Sequence, residues 1–366
     1  AADGQRSGPI AEGAGCFRCR ESAADIEGPW KLMSDLSISV VLPAYLRVPD
    51  AMQIQLLKRA LESILDQGMP VDYEILVIDD GSPAPIFDSA PALGEAANHV
   101  NWIRVPTNRG LVNALNTGIV AARNFLVARL DADDVWLPTK IEKQLALFER
   151  DPDLTITATG MSMVDAAGNA IAEHIRPGDW NGILNFFVEV GCPFPHGSVL
   201  ARRDIYRLLG GYSHNAGLSH CEDFALWGTW LRFFKPAMIE ESLYSYTVSD
   251  TSVSAIHQDQ QRNASHVVQR SFAKGDLVHR LPKALDSLAR CLGISMIEAG
   301  KLAYLIWHFK PDVTLPRAAL EALTVILFDR EFSTVSAGGS DLHWTALLGL
   351  ARRSSDHEVT GHFYAI

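Results

Sequence analysis

Apolar residues follow two alternating patterns along the first 150 residues. Short, continuously apolar runs are typical of strands that a parallel sheet buries on both faces, whereas apolar residues at every third or fourth position are typical of amphipathic helices. We predict strands at residues 38–42, 73–78, 100–105 and 125–130. We predict helices at residues 56–65, 111–122 and 138–150. Because strand and helix alternate with short connections, the pattern predicts an α/β fold with a doubly wound, mostly parallel, Rossmann-like sheet.

The pattern changes after residue 153 and again near residue 265. In between we predict strands at residues 154–164 and 198–201, a hairpin turn at 165–169, and helices at 204–209 and 222–234. Past about residue 265 the pattern is that of a wholly helical region. Residues 1–35 are rich in Gly, Ala and polar groups without any period, which is typical of a poorly ordered tail. We therefore expect a tail at 1–35, an α/β domain at 36–265 and a C-terminal helical region at 266–366.

Composition narrows the class of protein. Of the 366 residues, 48% are hydrophobic and 20% are charged, which is ordinary for a globular protein with a sizeable core. The formal net charge of −11 argues against a nucleic-acid partner, although a metal ion would still let the protein bind a single nucleotide. No stretch approaches the ~20 apolar residues of a membrane span, and the N-terminus lacks the apolar core of a signal peptide. We expect a soluble cytoplasmic protein that contacts a membrane peripherally at most.

The five cysteines are too few and too scattered for a disulfide framework, and their odd number favours a reducing compartment. Cys16 and Cys19 have the C-x-x-C spacing of zinc and redox sites. Because the next cysteine is far away, we favour two thiols in a tail over a metal site.

Acidic residues follow two of the predicted strands. Asp79 and Asp80 come after the second strand, and Asp131-Ala132-Asp133 after the fourth. In open α/β sheets, ligands collect at the carboxyl ends of the strands, so these two clusters are expected to converge. Two carboxylates at positions i and i+2 offer hard oxygen ligands to Mg²⁺ or Mn²⁺, and such a metal neutralises charge on a diphosphate. The alternatives are a solvated acidic turn for the second cluster and a plain Asp-Gly turn for the first.

Three further features fall in the second half of the chain. Glu222 and Asp223 open a helix, where a carboxylate acts either as a general base or as a cap that complements the helix dipole. His196 is a candidate to contact a sugar or diphosphate, or a packed, hydrogen-bonded histidine. Trp227 and Trp230 lie three positions apart, and core packing is favoured over a sugar-stacking platform.

Seven segments in order resemble the family 2 glycosyltransferases, the inverting group with a GT-A fold that builds bacterial polysaccharides. They are SVVLPAY (39–45), LKRALESILDQ (57–67), EILVIDDGS (74–82), NRGLVNALNTGI (108–119), ARLDADDVWLPTKIEKQ (128–144), PFPHGSVLARRDIYRLLGGY (193–212) and HCEDFALW (220–227). The resemblance spans roughly residues 37–255. It implies that residues 36–265 are a GT-A catalytic domain that transfers a sugar from a nucleotide-diphosphate donor, by preference a UDP-sugar, to a hydroxyl of a glycan or lipid-linked acceptor.

The resemblance also implies roles for individual residues. Asp133 would bind the divalent metal, Mn²⁺ or Mg²⁺, and Asp131 would meet the ribose or the metal's water shell. Asp223 would be the catalytic base, with Glu222 beside it. The residues expected to bind the nucleotide-sugar are Pro43, Ala44, Tyr45, Asp79, Asp80, Asn116, Asp131, Ala132 and His196.

The chain departs from the family pattern at three places, where Leu46, Leu115 and Thr247 stand instead of Asn, Arg and Arg. Two arginines that would grip a phosphate or acceptor are therefore missing, which leaves open a non-catalytic relative that only binds nucleotide-sugar or glycan. A haloacid-dehalogenase-like phosphatase is a further alternative, with Asp131 as nucleophile, but its motif normally follows the first strand. A nucleotidyltransferase would need a Gly-rich loop where Pro43-Ala44-Tyr45 stands.

The C-terminal region carries a local positive charge. Over residues 267–317, eight Lys and Arg stand against four acids, which gives about +4 in an acidic protein. The apolar segment at 296–310 has a tryptophan and flanking cations and would suit an anionic membrane surface. Packing on the catalytic domain or on a second copy in a homodimer is the favoured alternative.

Overall fold

The computed structural model describes residues 36–48, 50–165, 167–248, 258–272, 277–311, 313–328 and 341–343. The expected tail at 1–35, with Cys16 and Cys19, lies outside these residues. The first half alternates strand and helix as predicted. Its elements are β1 (Ser37–Ala44), α1 (Ala51–Leu65), β2 (Asp72–Asp79), α2 (Ala90–Leu93), β3 (Val100–Arg104), α3 (Leu111–Ala121), β4 (Leu126–Arg129), β5 (Val135–Trp136) and α4 (Lys140–Arg150).

The second half contains two elements that the sequence pattern did not predict, α5 and β9. Its elements are β6 (Leu154–Val164), β7 (Ala170–His174), α5 (Trp180–Glu189), β8 (Leu200–Arg202), α6 (Arg203–Leu208), α7 (Glu222–Phe233) and β9 (Lys235–Thr247). β9 contains a proline and two adjacent glutamates and pairs with β6 through several register shifts. Its polar, bulged middle hides the alternation that identifies a strand in a sequence.

The strands form one mixed sheet in the order β3-β2-β1-β4-β8-β6-β9-β5, with β7 paired to β6. The strands β3, β2, β1 and β4 run parallel, and β8 is antiparallel to both of its neighbours. Helices cover both faces: α1 and α4 pack on one, and α3, α5, α6 and α7 pack on the other. The predicted doubly wound α/β fold is therefore confirmed, with parallel pairing among β3, β2, β1 and β4 and again between β6 and β9.

The C-terminal elements are α8 (Gln258–Ser271), α9 (Leu277–Leu292), α10 (Met296–Phe309), β10 (Thr314–Pro316), α11 (Arg317–Phe328) and β11 (Asp341–His343). The antiparallel pair of β10 and β11 corrects the expectation of a wholly helical region. These helices share one hydrophobic core with α7, and α8 crosses the expected domain boundary at residue 265. None of the helices in the described part of the chain is long and apolar enough to cross a membrane.

Candidate functional site

The carboxyl ends of β1, β2 and β4 meet at one edge of the sheet. Ala44 lies beside Asp79 in the register of β1 and β2, and the Asp80 amide donates to the Ala44 carbonyl at 2.9 Å. The Leu130 amide donates to the Val41 carbonyl at 3.2 Å, which brings the start of the D-x-D segment to the same edge. Pro43 and Ala44 are buried, whereas Tyr45 is 40% exposed. The edge therefore brings together the two acidic clusters, as the strand order predicts.

Asp79 uses both carboxylate oxygens within its own loop. Oδ1 accepts from the Ser82 amide at 2.8 Å, while Oδ2 accepts from the Ile86 amide at 3.1 Å and from Arg104. The side chain is buried, so its carboxylate shapes the loop after β2.

Asp80 joins that loop to the start of α3. Its two oxygens accept from the amides of Arg109 at 3.2 Å and Gly110 at 2.8 Å. Burial raises the pKa of Asp80, although both hydrogen bonds favour the charged form. Gly81 has a φ of 68°, and a Cβ there would lie 2.3 Å from the Thr107 carbonyl carbon, so only glycine permits this close approach.

The three acids after β4 have different environments. Asp134 is fully buried and accepts from the Thr247 amide at 2.7 Å and from the Tyr244 hydroxyl, so it anchors β9. Asp131 forms a two-pronged ion pair with buried Arg129. Asp133 is exposed, yet desolvation and the charge of Asp131 raise its pKa to about 6. Only Asp133 thus holds an accessible carboxylate that is electrostatically destabilised.

These residues fit a divalent cation that is shared with a ligand. Among the described residues, no group of three or more His, Cys, Asp or Glu side chains forms a metal-binding cluster. Two carboxylates would instead leave most coordination positions to water and to diphosphate oxygens, which is how Mg²⁺ is usually held. A cation would also relieve the repulsion between Asp131 and Asp133 that raises the pKa of Asp133.

The second acidic pair stands at the start of α7. The Asp223 Oδ1 accepts from the Phe224 amide at 2.7 Å, and Oδ2 lies 3.8 Å from the Cys192 thiol and 3.9 Å from the His196 Nδ1. Burial raises the pKa of Asp223, against the opposing effect of the Phe224 hydrogen bond and the Arg129 charge. Burial and the Asp223 charge raise the pKa of Glu222 to about 7.

His196 lies beside Asp223 in an aromatic setting. Its Nε2 is 2.7 Å from the Tyr212 hydroxyl, and its ring contacts Trp227. Burial, together with the charge of Arg129, holds the pKa of His196 well below its usual range, so the ring is neutral at pH 7. Trp227 and Trp230 are fully buried, which confirms core packing for both.

Asn116 makes a paired contact with the backbone of Tyr212. Its Nδ2 donates to the Tyr212 carbonyl and its Oδ1 accepts from the Tyr212 amide, both at 2.9 Å. The amide group therefore connects α3 to the segment that carries Tyr212. Ala132 is half-buried between the two aspartates of the D-x-D segment.

Arg129 is a residue that the sequence analysis missed. It is 4% exposed on β4, pairs with Asp131, and lowers the pKa values of Asp133, Glu222 and Asp223. Its Nε is buried without a hydrogen-bond partner among the described residues. One signal was available: Arg129 stands at i−2 from Asp131, so both side chains leave the strand on the same face.

Comparison with known proteins points to one family. Residues 39–209 match the model of glycosyl transferase family 2. EpsE of Bacillus subtilis is 31% identical over 51% of this chain and 66% of its own length. The amylovoran biosynthesis glycosyltransferase AmsE of Erwinia amylovora is 31% identical over 47% of this chain and 62% of its own length. The O-antigen biosynthesis glycosyltransferase WbnJ of Escherichia coli is 29% identical over 46% of this chain and 63% of its own length.

The S. aureus protein TarS, solved in complex with UDP, aligns with a TM-score of 0.48 at 17% identity, over 80% of each chain. The chain spans just under two thirds of the length of EpsE and AmsE. The matched segment holds the D-x-D aspartates and the loop after β2, at the sheet edge described above. The chain is therefore similar to glycosyltransferase family 2 over residues 39–209, which is just under half of its length. The phosphatase and nucleotidyltransferase alternatives are thereby left without support.

Proposed function

We propose that this chain transfers a sugar, with inversion, from a nucleotide-diphosphate donor to a hydroxyl of a glycan or lipid-linked acceptor during polysaccharide biosynthesis. The family similarity and the printed roles of AmsE and WbnJ support the reaction class. Arg129 gives the strongest structural support. Its guanidinium pairs with Asp131, and its charge acts on both the D-x-D pair and the acidic pair at the start of α7. The acids proposed to bind the donor and those proposed to act on the acceptor would therefore both be stabilised in their charged forms by Arg129.

The donor half lies at the edge of β1, β2 and β4. Asp131 and Asp133 would hold a divalent cation, Mn²⁺ or Mg²⁺, which when bound neutralises charge on the leaving diphosphate. Arg129 fixes the carboxylate of Asp131 through both oxygens. Tyr45 is exposed beside this edge and would contact the nucleotide base, which we propose to be uracil.

The acceptor half centres on Asp223. A single displacement needs a base that takes the proton of the attacking hydroxyl, and the raised pKa of Asp223 suits that task. Because His196 is neutral, it does not compete as a cation for the Asp223 carboxylate. Its hydrogen bond to the Tyr212 hydroxyl holds the ring in place instead. We further propose that the protein works in the cytoplasm, with peripheral contact at the inner face of the membrane where lipid-linked acceptors lie.

Calorimetric titration of UDP, GDP and dTDP, each with and without Mn²⁺, tests the donor half. We expect UDP to bind only when Mn²⁺ is present. Asp133→Asn should abolish this binding, because one of the two carboxylate ligands is lost. Asp286→Asn, which removes the carboxylate that pairs with Arg290 on α9, is the matched control and should bind like the wild type.

Two results would contradict the donor assignment: metal-independent UDP binding by a folded protein, or unchanged binding by the Asp133→Asn variant. Binding of UDP and Mn²⁺ without any transfer to a panel of acceptors would instead favour the non-catalytic relative.

A further inference from the structure

Arg176 lies in a short, fixed loop between β7 and α5. The Gly178 amide donates to the Glu240 Oε1 at 2.7 Å, and the Met238 amide donates to the Gly178 carbonyl at 2.9 Å. Both contacts tie the loop to β9. The Asp179 carboxylate accepts from the Gly182 amide at 3.0 Å and caps α5. The backbone that follows Arg176 is therefore held in place.

Within the described part of the chain, the Arg176 guanidinium forms no close ion pair with a carboxylate. Its central carbon lies 5.4 Å from the centre of the Phe186 ring, and its Nη1 is buried without a hydrogen-bond partner among the described residues. A buried donor that makes no hydrogen bond costs stability, and native proteins leave few of them. In a chain with a net charge of −11, acidic partners are plentiful, so this unpaired cation calls for another explanation.

The charge of Asp223 interacts with the charges of two arginines, which differ in their other neighbours. Arg129 interacts with Asp131, Asp134 and Asp223. The charge of Arg176 interacts with Cys192 and Asp223, and neither D-x-D aspartate contributes. The Cys192 thiol, in turn, lies 3.8 Å from the Asp223 Oδ2. The charge of Arg176 thus acts on Asp223 and Cys192 and not on the D-x-D aspartates.

We propose that Arg176 determines acceptor specificity by binding an oxyanion, a carboxylate or a phosphate, on the acceptor next to the hydroxyl that Asp223 deprotonates. This inference rests on the proposed function, since it places Asp223 at the acceptor. The planar guanidinium fork matches an oxyanion through two parallel hydrogen bonds, and Nη1 supplies an unused donor. The acceptor is therefore an anionic glycan or a phosphate-bearing chain rather than a neutral one.

A binding experiment on the full chain tests the subsite without catalysis. Inorganic phosphate, D-glucuronate and neutral D-glucose are titrated into the protein without metal, and binding is followed by ligand-observed NMR. The variants are Arg176→Met, which keeps an unbranched stem against Phe186, Arg176→Lys, which keeps the charge, and Arg290→Met, an exposed control on α9. Circular dichroism checks that each variant is folded.

We expect at least one anion to bind the wild type and Arg290→Met more tightly than glucose does. Arg176→Met should weaken that binding by about ten- to a hundredfold, and Arg176→Lys by less, because lysine keeps the charge without the fork. The stronger of the two anions identifies the oxyanion as carboxylate or phosphate. Equal affinity for glucose and both anions, or unchanged affinity in Arg176→Met, would overturn the proposal.

Transfer assays separate the acceptor from the donor. Acceptors are compared in pairs that differ only in charge: methyl glucoside with methyl glucuronide, and glycerol with glycerol 3-phosphate. Arg176→Met should raise KM for the charged acceptor by about tenfold or more and leave kcat and the donor KM near wild-type values. A raised donor KM would instead assign Arg176 to the diphosphate and refute the acceptor role. Failure of UDP and Mn²⁺ to bind would count against the proposed function alone. The metal-free anion titration tests the binding of an oxyanion by Arg176 separately.

Discussion

Neighbouring carboxylates in this site differ in chemistry because their partners differ. The two oxygens of Asp134 accept hydrogen bonds from the Thr247 amide and the Tyr244 hydroxyl. Those of Asp79 accept from amides of the loop after β2. Asp133 and Asp223 have fewer partners and raised pKa values. At the residue scale, Asp133 and Asp223 keep the carboxylates that protein partners engage least, whereas both oxygens of Asp131 accept from Arg129.

Asp223→Asn tests the assignment of the base. Asparagine keeps the size and most contacts of the side chain but cannot accept the acceptor's proton. We expect kcat to fall by about 10²- to 10⁴-fold, with the affinity for UDP and Mn²⁺ unchanged. Steady-state kinetics and calorimetry measure the two quantities. A variant that still transfers sugar at the wild-type rate would show that another group is the base.

Glu222 makes the stability of the protein depend on pH. Its folded-state pKa is about 7, above the ordinary value of 4.5, so the protonated form is favoured in the folded state. The contribution of Glu222 to stability is therefore complete below about pH 4.5 and is lost as the pH rises through about 7. Glu222→Gln should melt at a higher temperature than the wild type at pH 8.5, and at nearly the same temperature at pH 4.5.

The capping residue Glu298 provides a control of opposite sign. Its hydrogen bonds with Ser295 lower its pKa, so Glu298→Gln should lose stability at pH 8.5 rather than gain it. Thermal melts at both pH values decide the matter. The same change in melting temperature at pH 4.5 and 8.5 for Glu222→Gln would refute the assigned pKa.

At the element scale, the contact between α7 and α10 is closest at Gly300. A Cβ at this position would lie 2.1 Å from the Phe233 carbonyl oxygen, and Phe233 also contacts Tyr304 and Trp307 of α10. This contact sets how closely α10 approaches the helix that carries Asp223. The apolar segment at 296–310, which would also suit a membrane, thus packs largely on the catalytic domain, with Phe309 exposed.

Gly300→Ala separates packing from helix propensity. Alanine favours a helix over glycine by about 1 kcal/mol, so propensity alone predicts a more stable protein. The steric contact with Phe233 should reverse this sign and lower the free energy of unfolding by about 1–3 kcal/mol. Urea denaturation followed by tryptophan fluorescence measures the change. An unchanged or increased stability would mean that the helices do not pack this closely.

At the scale of the whole molecule, the C-terminal helices complete the core that holds α7, the helix whose first turn carries Asp223. Buried residues of α8 to α11 belong to the same hydrophobic cluster as those of α7, and Arg232 of α7 donates to the Ile326 carbonyl of α11 at 3.0 Å. The helix α8 runs across residue 265, where we expected a boundary between two domains, and that boundary stays a prediction.

A chain that ends at residue 248 should fail to fold as a soluble protein, because the buried face of α7 loses its cover. Removal of residues 1–35, which the sequence predicts to be a tail, is the matched control and should leave the melting temperature unchanged. Solubility, size-exclusion chromatography and thermal melts compare the two chains. A soluble, cooperatively folded 1–248 chain would show that the C-terminal helices form a separate unit.

The sequence alone was enough to predict the alternation of strand and helix, the convergence of Asp80, Asp131 and Asp133 at one sheet edge, and the resemblance to glycosyltransferase family 2. These follow from hydrophobic period and chain order, which are local properties. The tertiary structure was needed to show that Asn116 pairs with Tyr212, that the charge of Arg129 acts on both acidic pairs, and that the Arg176 Nη1 has no hydrogen-bond partner among the described residues. These features depend on contacts between residues that are far apart in the chain. The charge state of each group is set by its burial and its partners, which the local sequence does not reveal.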